Sequence, residues 1–384
     1  MSKINYQAFQ NEIVSLRRQL HSHPELSLHE KETSIFVEDY LNDLGLETTR
    51  IGDYGLVAMI WANDPSCKTV ALRAEMDAIA VQEQNDFDFK SQNPGVMHAC
   101  GHDAIMATVL VTAKLCVDNR ELLHNNVKVF FQPAEENGKG TEIMIDGGVM
   151  NDPEVDYFTM LHFANDAPLG MELNKGASSA AIGAIKIRIT GVSSHWALPD
   201  DGVDTIDVVG QILSLMNKIK REYVSNSPFI LGIGKINGGS ASNVIADETL
   251  LEGTLRAIKV SDYAKLRKLL LDGIADIQED TKAQIEVEIT DPPIPPIVSD
   301  AGLVDIGLRA GEEVFGNESR LVSSEYLSGD SAADYFNYAR GVFFVFTAES
   351  ENEKTYPLHN GRFDIDEGIL WKAVAVLHRY ILSL

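Results

Sequence analysis

The sequence predicts an α/β chain in which a mostly parallel sheet is interrupted by a small, inserted ferredoxin-like α+β module. Three observations carry this prediction. Up to about residue 162, short apolar runs alternate with helical periodicities. From about residue 184 the runs give way to period-two alternation, the mark of half-exposed antiparallel strands. A proline-rich stretch, DPPIPPIV (291–298), then precedes a return to the first pattern.

The elements follow in order. The opening segment to about His23 has the period of an amphipathic helix, and Glu30 to Leu46 gives a second helix closed by Gly45. LVAMIWA (56–62) and TVALRAEMDA (69–78) read as buried strands, and Asp103 to Cys116 as a buried helix. VKVFFQPAEE (127–136) is a strand ending in two carboxylates, and DYFTMLH (156–162) a strand ending in a histidine. In parallel α/β sheets the site lies beyond the carboxyl ends of the strands, where both clusters fall. AIKIRITGV, a helix from Thr205 to about Val224, LGIGKING, TLLEGTLRAI, a helix from Asp262 to Asp280 and QIEVEIT then give the order β-α-β-β-α-β. Helical patterns at Val304–Phe315 and Ala332–Tyr338, the strand GVFFVF and a helix from Glu367 complete the chain. The expected division is one discontinuous domain, 1–183 and 296–384, with an inserted domain at 184–295.

The size, 384 residues, exceeds one ordinary core, and 45% hydrophobic with 23% charged residues is a foldable rather than a disordered composition. A formal net charge of −25 argues against nucleic acid and anionic membranes as partners. No apolar run approaches the roughly 20 residues that span a bilayer, and the N-terminus lacks an apolar signal core. The expected location is the cytoplasm. Three cysteines, Cys67, Cys100 and Cys116, do not suggest a disulfide framework.

Four signals point to a metal. Cys100 and His102 flank Gly101, which permits a tight turn aiming thiolate and imidazole at one point. The alternative is a loop thiol beside a surface histidine. Glu135 and Glu136 are adjacent carboxylates, one suited to bind a cation and the other to take a proton, or else a solvated acidic turn. His162 ends an apolar run and His359 sits in a loop before the last helix; each has a plain structural reading. Together the donors suit Zn²⁺, Mn²⁺ or Co²⁺ rather than Mg²⁺ or Ca²⁺.

These segments resemble the amidohydrolase branch of the aminoacylase/carboxypeptidase metallopeptidase superfamily, which includes hippurate hydrolases, auxin-conjugate hydrolases and N-acetyldiaminopimelate deacetylases. The likeness runs through RRQLHSHPELSLHE (17–30), ALRAEMDA (71–78), NPGVMHACGHDA (93–104), QPAEE (132–136), SSHWALPDDGVDTI (193–206), SASNVIADETLLEGTLRAI (240–258) and HNGRFDIDE (359–367). The resemblance implies that Cys100, His102, Glu136, His162 and His359 bind two divalent metal ions, with Cys100 bridging. It implies that Glu135 is the general base and that Asp77 orients a metal ligand. In the inserted domain, His195 matches a histidine that polarises the scissile carbonyl. Asn243 and Arg256 match substrate-binding positions, though Asn243 also reads as a turn residue and Arg256 as half of a strand-surface salt bridge. The inserted domain is expected to act as a lid and to form a homodimer.

The implied reaction is hydrolysis of the amide bond of a small-molecule N-acyl amino acid. Cation binding lowers the pKa of water towards roughly 7, Glu135 takes the proton and returns it to the amine, and well-placed donors stabilise the oxyanion by about 3 to 4 kcal/mol each. The alternatives are a metallo-exopeptidase acting on dipeptides and a catalytically silent binding protein. Four departures from the family pattern bear on substrate preference: Asp200 after Pro199, Ile105 three residues after His102, Glu75 before the Met-Asp pair, and the loop SGDSAADYF (328–336).

Overall fold

The computed structural model describes residues 4–323, 326–349 and 355–384. The chain divides into two compact units, Met1–Gly176 with Val298–Ser324 and Asp330–Leu384, and Ala177–Ile297 with Glu325–Gly329. The strands are β1 (Thr48–Ile51), β2 (Gly55–Ile60), β3 (Thr69–Glu75), β4 (Asn126–Gln132), β5 (Tyr157–Ala164) and β6 (Gly170–Asn174) in the first unit. The second unit contributes β7 (Ala181–Thr190), β8 (Phe229–Gly238), β9 (Glu248–Ala257) and β10 (Gln284–Ile289), and the first resumes with β11 (Ser319–Val322) and β12 (Arg340–Thr347). The helices are α1 (Gln10–Ser22), α2 (Lys31–Asp43), α3 (His102–Asp118), α4 (Gly140–Asp146), α5 (Thr205–Glu222), α6 (Val260–Thr281), α7 (Ala301–Phe315) and α8 (Leu370–Ser383).

The first unit holds an eight-stranded sheet of order β1-β2-β4-β3-β5-β12-β6-β11. Its four central strands, β4-β3-β5-β12, are mutually parallel, while β1, β2 and β6 join antiparallel. Strands β3 and β4 are buried at every residue. Their side chains alternate between two covered faces: Val127, Val129 and Phe131 enter the core that includes α3 and α8, while Phe130 packs against Tyr335. Burial on both faces explains why these strands read as unbroken apolar runs. Helix α3 crosses β3, β4 and β5, with α1 and α8 packed on it. Fourteen of its seventeen residues are buried, Ile105 and Cys116 among them.

The second unit is a four-stranded antiparallel sheet of order β10-β7-β9-β8 with α5 and α6 packed together against it. Its core joins Ile185, Ile187 and Ile189 of β7 to Val208, Ile212 and Met216 of α5 and to Leu266, Leu270 and Ile274 of α6. This is the β-α-β-β-α-β module expected, with every second residue of β7 turned inward.

Three expectations shift. The helical pattern at Ala332–Tyr338 is a 3₁₀ segment, Ser331–Asn337, and the last helix is entered through a 3₁₀ turn at Glu367–Ile369. Short runs that tertiary packing pins at both ends do not gain enough i→i−4 bonds to become α-helix. β1, β6 and β11 have four or five residues each and lacked a distinct run in the sequence. Among the described residues no helix is long and apolar enough to cross a membrane.

Candidate metal centre

All five proposed ligands and the proposed base lie in the first unit: Cys100 and His102 at the start of α3, Glu135, Glu136 and His162 at the carboxyl ends of central strands, and His359 in the loop before α8. Gly101, at φ +82°, supplies the left-handed turn from which α3 begins at His102. The peptide turns again after β4 at Ala134, which has φ +52°. A non-glycine residue there costs about 1–2 kcal/mol. That turn lets two consecutive carboxylates approach one ring, whereas consecutive strand residues point apart. His359 is held in the same left-handed region, at φ +65°.

The donor atoms converge in three overlapping groups: Cys100 with His102 and His162, Cys100 with Glu136 and His359, and His102 with Glu135 and Glu136. Within each group the atoms lie within 4.8 Å of one another. The first two groups share Cys100, the geometry a bridging thiolate needs. The ring tautomers agree. His102 Nδ1 is 2.7 Å from the Asp77 carbonyl oxygen, and His162 Nδ1 is 2.8 Å from the Phe163 carbonyl oxygen. A carbonyl only accepts, so each Nδ1 carries the proton and each Nε2 lone pair is free for a cation. His162 Nε2 is 3.5 Å from Cys100 Sγ, and His359 Nε2 is 3.4 Å from Glu136 Oε1. Glu136 Oε1 and Asp77 Oδ1 are buried without a hydrogen-bond partner. Buried polar atoms need partners, and one thiolate, three imidazoles and a carboxylate are a donor set for borderline divalent metals. The residues therefore fit divalent cations.

Electrostatics separates the two glutamates. Burial, reinforced by nearby Asp330, pushes the Glu135 carboxyl well above the usual range. Burial also opposes the Glu136 charge, but the nearby His359 and His102 imidazoles outweigh it and hold that carboxyl below its ordinary value. Two adjacent carboxylates pushed in opposite directions are suited to opposite tasks, ligand and proton carrier. Burial likewise opposes the Cys100 thiolate, yet the His102 and His162 imidazoles hold the thiol down to about 6. Burial opposes the Asp77 charge, but the His102 imidazole, whose Nδ1 lies 3.5 Å from Oδ1, and the donors Ser27 and Glu136 N–H hold the carboxyl down to about 2. Its Oδ2 accepts from Ser27 Oγ at 2.7 Å and from the Glu136 N–H at 2.9 Å, so Asp77 ties one proposed ligand's ring to another's backbone.

Sequence reasoning missed the groups that hold this cluster. Arg17 and His21, one turn apart on α1, both reach Asp103 Oδ2, at 3.1 and 2.8 Å. Asp103 follows His102 in the first turn of α3. Glu83 takes the other His21 nitrogen at 3.2 Å. Arg73 lies buried on β3 and pairs with Glu75, Gln132 and Asp330. His98 is buried with neither ring nitrogen hydrogen-bonded, and burial keeps it neutral, its pKa down to about 4. A usable signal was present for one pair: an Arg and a His at i, i+4 on an otherwise apolar-facing helix.

A hollow of about 320 Å³ adjoins Glu136, with Leu26, Ile79 and Ala80 in its wall and His29 at its rim. The other three proposed residues lie in the second unit. His195 and Asn243 are exposed, and a backbone bridge pairs His195 with Val244, next to Asn243. Asp200 is exposed in a 3₁₀ turn, Pro199–Asp201. The Arg256 guanidinium donates to the Leu327 carbonyl at 2.9 Å and to Thr254 Oγ1 at 3.4 Å.

Residues 71–383 match peptidase family M20/M25/M40. The chain is 33% identical over 374 residues to thermostable carboxypeptidase 2 of Saccharolobus solfataricus, covering 95% of this chain and 93% of that one. It is 31% identical over 381 residues to N-acetyl-L-cysteine deacetylase of Bacillus subtilis, covering 98% and 88%. The crystal structure of the Bacillus subtilis YXEP protein, described as a dinuclear metal binding peptidase from the M20 family, superposes with a TM-score of 0.84 at 27% identity over 98% of both chains. The chain belongs to peptidase family M20/M25/M40 and is a hydrolytic enzyme.

Proposed function

We propose that this enzyme hydrolyses the amide bond of N-acyl amino acids, with Cys100, His102, Glu136, His162 and His359 holding two divalent cations and Glu135 acting as general base. The observation that carries the reading is the pair of donor groups sharing Cys100, with the high-pKa carboxyl of Glu135 beside them. When bound, the cations supply Lewis acidity that acidifies water and polarises a carbonyl. Glu135 takes a proton from the attacking water and delivers it to the leaving amine. Asp77 and the Phe163 carbonyl fix the ring orientations of His102 and His162.

His195 serves in this reading as a donor to the carbonyl oxygen. Its Nδ1 accepts the Ala197 N–H at 3.0 Å, which leaves the ring proton of the neutral form on Nε2, ready to donate. Arg256 holds the substrate carboxylate and Asn243 assists. The hollow beside Glu136, lined by Leu26, Ser27, His29, Ile79, Ala80 and Asn137, offers room for a small acyl group. We extend the reading to a homodimer through the second unit, supported by the exposed Ile230 and Ile236 on the outer strand β8; sedimentation of the whole chain tests it.

The similarity to a deacetylase of an N-acetyl amino acid supports this substrate class. A second reading, an exopeptidase acting on dipeptides, is favoured by the similarity to a carboxypeptidase. A panel of N-acetyl and N-benzoyl amino acids and dipeptides, assayed with added Mn²⁺, Zn²⁺ and Co²⁺, separates the two. Release of acetate or benzoate well above dipeptide cleavage is the expected result, and the reverse order moves the assignment to the exopeptidase. Glu135→Gln should lower kcat by roughly 10³-fold while sparing metal content. Undiminished turnover removes Glu135 as the base.

A further inference from the structure

The segment RRQLHSHPELSLHE contains none of the proposed catalytic or metal-binding residues, yet its last residue reaches the turn that carries two of them. Glu30 is completely buried, directly before α2. Its Oε1 accepts the Ala134 N–H at 2.7 Å, and its Oε2 has no hydrogen-bond partner. Ala134 is the left-handed residue, at φ +52°, immediately before Glu135 and Glu136. A second contact closes the same turn: the Gly140 N–H donates to the Ala134 carbonyl at 2.9 Å. A Cβ at Gly140 would lie 1.7 Å from the Pro133 carbonyl oxygen, so only glycine permits this approach.

We propose that Glu30 is a positioning residue, which holds the strained Ala134 turn so that Glu135 and Glu136 face the cation cluster together. A buried carboxyl is costly and is retained where it meets a donor that nothing else satisfies. Here that donor belongs to a residue whose backbone L side chains rarely adopt, and sparsely populated conformations persist only where their surroundings over-determine them. Released from Glu30, the turn relaxes towards the extended conformation, and the two carboxylates diverge to opposite faces of the strand. The loss is then shared between proton transfer at Glu135 and cation binding at Glu136.

This inference rests on the amidohydrolase reading for its kinetic arm alone, because cation affinity is measured without substrate. Glu30→Asp keeps the carboxyl but falls one methylene short of Ala134, and Glu30→Gln keeps an oxygen acceptor at full reach. Zn²⁺ affinity is measured by competition with a chromophoric chelator, and kcat and KM on whichever acyl amino acid turns over. E30D is expected to weaken Zn²⁺ binding at least 10-fold and to lower kcat at least 10-fold with KM within threefold. E30Q is expected to stay within threefold of the parent on all three. The double variant E30D/A134G should recover at least threefold of the lost kcat, since glycine takes positive φ without strain. Folded E30D with parental affinity and kcat overturns the proposal, as does E30Q falling as far as E30D. Glu30→Leu stands in if E30D does not fold, and loss of folding in both assigns Glu30 to stability and overturns the proposal. A parent that cleaves no acyl amino acid refutes the substrate reading and leaves the affinity result to judge Glu30.

Discussion

The two donor groups that share Cys100 are built differently. His102 is buried at the head of α3, and His162 is fixed within β5; the Nδ1 of each is tied to a backbone carbonyl. Glu136 and His359 stand on loops, with the His359 side chain 54% exposed against 1% for His102. Donors on packed elements with satisfied partners are preorganised, whereas exposed loop donors must be ordered when the cation arrives. If these groups hold two cations as proposed, the comparison predicts unequal grip, the buried position tight and the exposed one exchangeable.

The largest test removes the shared atom. Cys100→Ala deletes a donor from both groups, and affinity at both positions should fall by about 100-fold or more, beyond the 10–100-fold cost of losing a supporting partner. Elemental analysis after dialysis should find the chain nearly metal-free; two retained ions per chain would take Cys100 off the ligand set. A narrower cut sharpens the contrast. His359→Ala touches the exposed group alone and should leave one ion per chain, its affinity changed less than about threefold. Equal loss of both ions would mean that the two positions do not differ in the way their burial suggests.

The smallest test concerns the scaffold beneath the tight position. Burial opposes a charge on His21, but Asp103 outweighs it and raises the imidazole to about 9 from its usual 6.5. A group raised in the folded state stabilises it fully below the unfolded pKa, and that stability is lost as pH rises through the folded one. Unfolding free energy should therefore drop by roughly 3 kcal/mol between pH 6.5 and 9.5. Denaturant melts compared with a His21→Gln variant isolate the effect. A parent and a variant with the same slope would show that His21 does not titrate in this window.

The side chains proposed as cation donors could be picked out because cysteine, histidine and glutamate at element ends are unusual enough to be noticed one at a time. Their support could not. Ser27 looks like a loop polar and Glu30 like the first residue of a helix, and nothing local distinguishes them from solvated residues. Their meaning lies in partners 50 and 104 positions away, Asp77 and Ala134. Strand order was legible in part: unbroken runs at β3 and β4 marked a doubly covered sheet, but the antiparallel β2 beside them reads the same way. Ile105 illustrates the limit differently, since it sits wholly within the helical core.

The sulfur of Cys100 has a further consequence. A thiol held at about 6 between imidazoles is largely thiolate at neutral pH. Thiolates are the form that peroxide converts to sulfenic acid, and over-oxidation beyond it is irreversible. Cation loading engages the same sulfur lone pairs that would attack a peroxide oxygen, so the two compete for one atom. Protein stripped by chelators and exposed to hydrogen peroxide should accumulate sulfur oxidation at Cys100, while the fully buried Cys116, whose thiol burial pushes up to about 12, stays reduced.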